Sequence, residues 1–244
     1  MSSRAAKDRL FDAFAQVGKA LSSGRRAEIV DLLNQGERSV EEVAGEINQS
    51  VANTSAHLRA LARAGLVAPR RSGNRIIYRL ASNDVAELWT AVRAVAATHV
   101  AGLDRLAGEY LGDRQRLEEV SREELARGME AAGPEVVVLD VRPEIEYEQG
   151  HIPGARSVPP SDLEARLRRV GKGTQAVAYC RGPYCVFADD AVRALRRRGV
   201  RARRLQDGFP EWRRAGFPVA LGAEGTGSIE RPTEDATDSS GEEE

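Results

Sequence analysis

Residues 175–199 read QAVAYCRGPYCVFADDAVRALRRRG, and this stretch decides the fold of the second half of the chain. It opens with an apolar run that is typical of a buried parallel strand, and it ends with apolar residues at helical spacing. A strand, a short loop and a helix in this order predict a parallel sheet layered with helices. The loop between them contains both cysteines of the chain, Cys180 and Cys185.

Strand and helix patterns alternate in the same way from residue 121 to residue 220. EVVVLDVR at residues 135–142 is another continuous apolar run, SDLEARLRRV at 161–170 has helical spacing, and VRARRLQ at 200–206 predicts a further strand. We therefore expect an α/β domain with a mostly parallel sheet over residues 121–220. The polar residues 113–120 predict a linker before it.

Residues 1–112 have mainly helical patterns and predict a separate, mainly α domain. Ser39 with Glu42 has the spacing of a capping box, and Ser50 is a second N-cap. One segment, LVAPRRSGNRIIYRLA, has two β-rich runs around a turn and predicts a hairpin. The predicted helices span residues 4–21, 25–36, 40–47, 51–65 and, as one long helix, 84–111.

Two short helices followed by a basic hairpin predict a winged helix-turn-helix that binds DNA. The second helix would place polar side chains in the major groove, and the hairpin arginines would contact phosphates or a minor groove. The predicted DNA-binding residues are Asn53, Thr54, Ser55, His57, Arg59, Arg70, Arg71 and Arg75.

Composition and charge agree with a globular cytoplasmic protein. The chain has 244 residues, of which 41% are hydrophobic and 30% charged. We expect neither a membrane span nor a signal peptide, because no apolar run is long enough for a span and the first residues lack an apolar core. Residues 221–244 carry eight acidic side chains and one arginine, and we expect this tail to be disordered.

The sequence of the first domain resembles the ArsR family of dimeric bacterial repressors. VANTSAHLRALARAGLV at residues 51–67 is similar to the family's recognition helix, and RRSGNRIIYRL at 70–80 is similar to its wing. The resemblance covers about residues 8–110. It implies a homodimer, joined through the first and last helices, that binds double-stranded operator DNA with an inverted repeat.

Metal-sensing members of that family differ from this sequence at their ligands. They carry a cysteine pair on the helix before the recognition helix, where this chain has VEEVAGEI at residues 40–47. Other members bind metal on the last helix, where this chain has only His99. Since a divalent cation needs three or four protein ligands, we expect no metal site, and we expect no cofactor.

The cysteine loop has the features of an anion-binding and nucleophilic site. Successive backbone amides before a helix form a concave anion site, and the helix dipole favours the thiolate form of Cys180. Arg181 adds positive charge, and Gly182 lets the backbone curl. The loop residues predicted to bind an anion are Gly182, Pro183, Tyr184 and Val186. We predict that Cys180 accepts sulfur from an anionic donor.

Three motifs of the second domain resemble the rhodanese family. They are VVLDVRPEIEYEQGHIPGARSVP at residues 137–159, YCRGPYC at 179–185 and LQDGFPEWRRAGFPV at 205–219. The resemblance covers about residues 118–220 and implies a three-layer rhodanese-like fold with Cys180 as a persulfide carrier. Asp140 and Arg142 would stabilise the site from beneath.

Three roles stay open for Cys185. It could act as a resolving thiol that attacks a persulfide on Cys180, it could bind a thiophilic metalloid together with Cys180, or it could be a small buried apolar group.

Our hypothesis is a transcriptional repressor whose rhodanese-like domain senses or transfers reactive sulfur. The donor would be thiosulfate, polysulfide or a persulfide. The alternatives are a sulfurtransferase enzyme, and a metalloid-responsive repressor that uses both cysteines.

Overall fold

The computed structural model describes residues 3–130, 136–223 and 229–230 of the chain. It divides into two compact units, with the division between Glu109 and Tyr110. Among the described residues, no helix is long and apolar enough to cross a membrane.

The first unit is mainly helical, with one small antiparallel sheet in the order β1-β3-β2. The helices predicted for residues 4–21, 25–36, 40–47 and 51–65 are confirmed to within a few residues, as is the hairpin. The elements are α1 (Arg4–Leu21), α2 (Gly24–Leu33), β1 (Arg38–Ser39), α3 (Val40–Glu46), α4 (Val51–Arg63), β2 (Val67–Ser72), β3 (Arg75–Leu80), α5 (Asn83–His99) and α6 (Leu103–Leu111).

Both predicted N-caps of the helix-turn-helix form. The Ser39 hydroxyl accepts from the Glu42 amide, and the Glu42 carboxylate accepts from the Ser39 amide, which completes the capping box. The Ser50 hydroxyl accepts from the Asn53 amide at the start of α4. Behind these caps, Ile29 of α2 and Leu58 of α4 are fully buried in one apolar core.

The prediction of a single helix over residues 84–111 is wrong. The chain leaves the helical conformation at Val100, and α6 begins only at Leu103. Gly102 has a φ of 80°, a left-handed conformation that glycine adopts at little cost and that interrupts an α-helix.

The second unit has a five-stranded sheet in the order β4-β8-β7-β5-β6, and every neighbouring pair is parallel, as the sequence predicted. A separate two-stranded pair, β9 and β10, is antiparallel. The elements are β4 (Glu119–Val120), α7 (Arg122–Glu130), β5 (Val136–Asp140), α8 (Glu144–Gln149), β6 (Arg156–Ser157), a 3-10 turn (Pro160–Asp162), α9 (Leu163–Leu167), β7 (Gln175–Tyr179), α10 (Phe187–Arg197), β8 (Arg201–Leu205), α11 (Phe209–Arg214), β9 (Val219–Ala220) and β10 (Ile229–Glu230).

Apolar side chains cover both faces of this sheet, which explains the continuous apolar runs. Leu139 and Ala178 belong to one apolar cluster, together with Val192 of α10. The alternate residues Val138 and Val177 belong to another, together with Trp212 of α11. Since successive strand residues point to opposite faces, the helices form a layer on each side of the sheet.

Two predicted segments differ from the structure. Within the predicted linker 113–120, Glu119–Val120 forms an edge strand parallel to β8, and the guanidinium of Arg193 donates to the Asp113 carbonyl. Within the predicted disordered tail, Ile229–Glu230 forms a short strand that pairs with β9 in an antiparallel ladder. Residues 221–223 of the same predicted tail are also described, and the Gly222 amide donates to the Glu148 carbonyl over 2.8 Å, whereas residues 224–228 and 231–244 lie outside the described residues.

We predict that Ser39→Ala lowers the free energy of unfolding of the first unit by about 1 kcal/mol, because it removes the capping hydroxyl of α3. The matched control is Ser23→Ala, since Ser23 precedes α2 without a capping bond from its side chain. Urea unfolding followed by Trp89 fluorescence in a Trp212→Phe background measures this unit, because the chain has two tryptophans. Equal losses for both variants would contradict the prediction.

Candidate functional site

The cysteine loop lies at the carboxyl edge of the parallel sheet. Cys180 directly follows β7, and α10 begins at Phe187. Asp140 ends the neighbouring strand β5 and is paired in register with Tyr179. Because the carboxyl ends of parallel strands meet at one edge, the fold brings Asp140 next to the start of the loop, at the place where open α/β sheets bind ligands.

The two predicted thiols come together in this loop. Cys180 and Cys185 form a disulfide with their Cα atoms 6.3 Å apart, and the Cys185 amide donates to the Gly182 carbonyl over 3.2 Å. Cys180 is only 2% exposed, whereas Cys185 is half-buried. Neither sulfur has a proton to lose in this state, so the lowered pKa expected of Cys180 concerns the reduced protein and stays a prediction.

Asp140 and Arg142 form a buried ion pair beneath the loop. Both side chains are fully buried, and the Arg142 guanidinium donates to Asp140 Oδ1 and Oδ2 over 3.0 and 2.6 Å. It also donates to the Gly150 carbonyl, and the Tyr179 hydroxyl donates to Asp140 Oδ2 over 2.6 Å. The network therefore joins β5, β7 and the residues after α8. Neither charged group reaches solvent.

The protonation states in this network follow from burial and charge. Burial raises the pKa of Tyr179 well above its usual value, and the Asp140 carboxylate raises it further. Burial opposes the charge of Arg142 and is the largest single effect, but the acidic groups around it, Asp140 first, together outweigh it, so the pKa of Arg142 is raised. Tyr179 is therefore a neutral donor, and Arg142 remains a cation.

Arg181 does not present a free positive charge to the loop. Its guanidinium binds the carboxylate of Glu146, with Nε and Nη2 at 2.9 and 2.7 Å from Oε1. Glu146 is fully buried, so this pair anchors the loop to α8. The predicted contribution of Arg181 to the local charge is therefore reduced.

A glycine outside the loop fixes its path. A Cβ atom on Gly208 would lie closer than 3.0 Å to backbone atoms of Arg181 and Gly182, so only glycine allows this close approach. The next amide, of Phe209, donates to the Cys180 carbonyl over 3.0 Å. The motif that begins α11 thus supports the loop from behind.

Sequence reasoning missed Arg114, which binds the loop from the other side. Its guanidinium donates to the carbonyls of Pro183 and Cys185 over 2.5 and 2.7 Å and to Asp189 Oδ2 over 2.5 Å. Asp189, in the first turn of α10, is fully buried. No local pattern indicated this contact, because it joins residues about seventy positions apart in the sequence.

The predicted DNA-binding face of α4 is partly exposed. Asn53 and Arg59 are exposed, and Ser55 and His57 are half-exposed. Thr54 is different: its side chain is fully buried with Leu58 and Leu61 on the inner face of α4. The prediction that Thr54 contacts DNA is therefore wrong. The helical spacing of Thr54 and these leucines was the signal that could have shown it.

The hairpin β2–β3 forms the predicted wing. Ser72 pairs with Arg75, and Gly73 with a φ of 59° begins the two-residue turn. Arg71 and Arg75 are exposed near this tip. Arg70 is also exposed in part, but its guanidinium binds the Glu37 carboxylate over 2.5 Å.

Two features of the chain together define its class: a winged helix-turn-helix unit and a three-layer parallel α/β unit with a cysteine loop. The family model for the bacterial regulatory protein, arsR family, matches residues 23–68, and the model for the rhodanese-like domain matches residues 121–215. The chain belongs to the ArsR family of regulatory proteins and carries a rhodanese-like domain after the helix-turn-helix.

Several known proteins are similar to this chain. The HTH-type transcriptional regulator Rv0324 of Mycobacterium tuberculosis is 48% identical over 217 residues, which are 89% of this chain and 94% of the relative. The uncharacterized HTH-type transcriptional regulator Rv0081 of the same organism is 39% identical over 89 residues, which are 36% of this chain and 78% of that protein. A solution structure of the homodimeric winged helix-turn-helix DNA-binding domain of Mb0332 from Mycobacterium bovis is 48% identical and covers 41% of this chain and 91% of that chain, with a TM-score of 0.39.

We predict that Asp140→Asn lowers the free energy of unfolding of the second unit by about 3–5 kcal/mol, because the buried Arg142 cation loses its counterion. Tyr179→Phe removes one neutral hydroxyl, which donates to Asp140 and accepts from the Ile152 amide, and should cost less, about 1–2 kcal/mol. Urea unfolding in a Trp89→Phe background, where Trp212 reports on this unit, measures both. Tyr184→Phe is the control, since Tyr184 is exposed. Equal effects of the Asp140 and Tyr179 variants would contradict this account of the network.

Proposed function

We propose that this protein is a transcriptional repressor that binds operator DNA as a homodimer and senses reactive sulfur through Cys180. The observation that carries the proposal is the approach of Cys180 and Cys185 in one loop before α10, in a chain that also has a winged helix-turn-helix.

Operator binding is supported by the exposed polar surface of α4 and the wing. Asn53 and Arg59 have the side-chain chemistry that hydrogen-bonds to base edges or phosphates. Arg71 and Arg75 near the hairpin tip supply the positive charge that binds the DNA backbone.

A homodimer is supported by apolar side chains that the first unit leaves exposed. Leu10, Phe11 and Phe14 of α1 are 52%, 58% and 62% exposed. Val92 and Val95 of α5 are exposed as well. Large apolar side chains grouped on a helix surface mark interaction sites, and a second copy of the chain would bury them.

The proposed sulfur chemistry uses the two cysteines in succession. The Cys180 thiolate attacks the terminal sulfur of a hydropolysulfide anion, and a Cys180 persulfide forms as the polysulfide leaves one sulfur shorter. The Cys185 thiol then loses its proton and attacks Cys180 Sγ, so that hydrosulfide leaves and the Cys180–Cys185 disulfide forms. The polysulfide is the oxidant. The final product of this proposed reaction is the Cys180–Cys185 disulfide, and the loop brings the two cysteines close enough to form it.

Sulfurtransferase activity is the second candidate function. It is favoured by the match of residues 121–215 to the rhodanese-like domain. In that function an external acceptor, rather than Cys185, would take the sulfur from Cys180. Turnover of thiosulfate and cyanide no faster than with a free thiol would exclude sulfurtransferase activity.

The metalloid-responsive alternative has the same two sulfurs as its ligands, and arsenite titration followed by thiolate absorbance tests it.

We predict distinct effects of the two groups of DNA-binding residues. Asn53→Ala should weaken the free energy of DNA binding by about 1–3 kcal/mol and relax sequence specificity, because it removes a contact to a base edge. Arg71→Ala and Arg75→Ala should each weaken binding to all sequences and lower the salt slope by about one, because they remove phosphate contacts. Fluorescence anisotropy on DNA selected by the protein from a random pool measures both.

The control for these variants is Arg79→Ala, since Arg79 lies at the base of the hairpin and its guanidinium binds the carbonyls of Leu80 and Ala81. This assignment of contacts is contradicted if Arg79→Ala weakens binding as much as Arg71→Ala does.

We predict that sodium tetrasulfide changes the DNA affinity of the wild type, reduced beforehand, by about tenfold or more, within the usual range of coupling between two sites. Cys180→Ser should abolish the response, because the thiolate that accepts sulfur is absent. Mass spectrometry should find a disulfide in the treated wild type and a persulfide on Cys180 in Cys185→Ser. Equal DNA affinities of treated and untreated wild type, or an unmodified Cys180, would refute sulfur sensing.

A further inference from the structure

Arg114 lies outside both ranges that match the family models, 23–68 and 121–215, and no motif assigns it a role. It nevertheless makes three hydrogen bonds to the cysteine loop and the first turn of α10. Its side chain is only 18% exposed, so these bonds are largely shielded from water. The ion pair between Arg114 and Asp189 is therefore unlike an exposed surface ion pair, which contributes little to stability.

We propose that Arg114 is a positioning residue for Cys180, which orients the peptide groups of the cysteine loop so that their amides favour the thiolate. This inference rests on the proposed function, because it concerns the same sulfur. It adds a residue that the rhodanese-like motifs do not contain.

The orientation follows from the planarity of the peptide bond. In a trans peptide the carbonyl and the amide of the next residue point in opposite directions, and the described residues have no cis peptide bonds. Arg114 holds the carbonyls of Pro183 and Cys185 toward itself. The amides of Tyr184 and Val186 must then point away from Arg114. These amides are donors of the kind that stabilise an anion in a loop before a helix.

A second effect of Arg114 concerns the charge of Asp189. This buried carboxylate lies in the first turn of α10, where it opposes the field that would favour a thiolate. Arg114 Nε binds Asp189 Oδ2, and Arg204 Nε lies 3.6 Å from Asp189 Oδ1. The two guanidinium groups therefore offset the carboxylate beside the loop.

An arginine suits this position because its planar guanidinium directs several donors at fixed angles. Here one side chain reaches two carbonyls and one carboxylate at once. A lysine would keep the positive charge but could not hold both peptide groups in this orientation. Lysine at position 114 therefore separates the effect of charge from the effect of orientation.

The test uses the full chain with Cys185→Ser, so that Cys180 is its only cysteine. Titration of the thiolate by its ultraviolet absorbance gives the pKa of Cys180 without depending on access of a reagent. We expect Arg114→Ala to raise this pKa by about one unit, which lowers the thiolate fraction about tenfold at a pH below the pKa. Arg114→Lys should raise the pKa nearly as much. Arg116→Ala, an exposed arginine in the same segment, should leave it unchanged.

The outcomes separate the positioning role from the proposed function. A pKa near the ordinary value of about 8.5 in the Cys185→Ser reference would overturn the proposed function itself. A lowered pKa that both Arg114 variants preserve would overturn only the role of Arg114. If the pKa of Cys180 in Arg114→Lys equals that of the reference, the positive charge alone acts, and the positioning role is overturned. Circular dichroism checks folding, and Arg114→Lys decides the test if Arg114→Ala does not fold.

Discussion

The carboxyl edge of the second unit depends on the buried Asp140 carboxylate. Asp140 accepts hydrogen bonds from Arg142 and from Tyr179, and so holds two adjacent strands and the chain near Gly150 in one arrangement. Two charges removed from water are costly, and only direct pairing with further hydrogen bonds offsets that cost. The register of the strands under the cysteine loop therefore has few alternatives, and Cys180 begins from a fixed position.

The loop itself is held from three sides by parts of the chain that are distant in sequence. Gly208 lies against its backbone, Glu146 binds Arg181, and Arg114 binds the carbonyls of Pro183 and Cys185. In the proposed function this support keeps the reduced Cys180 ionised and places Cys185 within reach of a persulfide. The chain just before the second unit's first strand thus contributes to the proposed site, although no family motif includes it.

The two proposed activities use different physical properties of the units. Binding of DNA by the first unit depends on exposed arginines and polar side chains, whose contribution falls with salt concentration. Sulfur chemistry in the second unit depends on buried groups, which salt screens much less. A change of salt concentration should therefore alter DNA binding much more than the sulfur chemistry.

The sequence by itself determined the first four helices and the hairpin of the first unit, the parallel sheet of the second, the caps at Ser39 and Ser50, and the position of both cysteines between β7 and α10. These features depend on periodicity and on residues three or four apart, so they can be predicted from short segments. Only the tertiary structure decided that Arg114 binds the cysteine loop, that Glu146 binds Arg181, and that Gly208 lies against the loop backbone. Contacts of this kind depend on which distant segments the fold brings together, and local patterns carry no record of that choice.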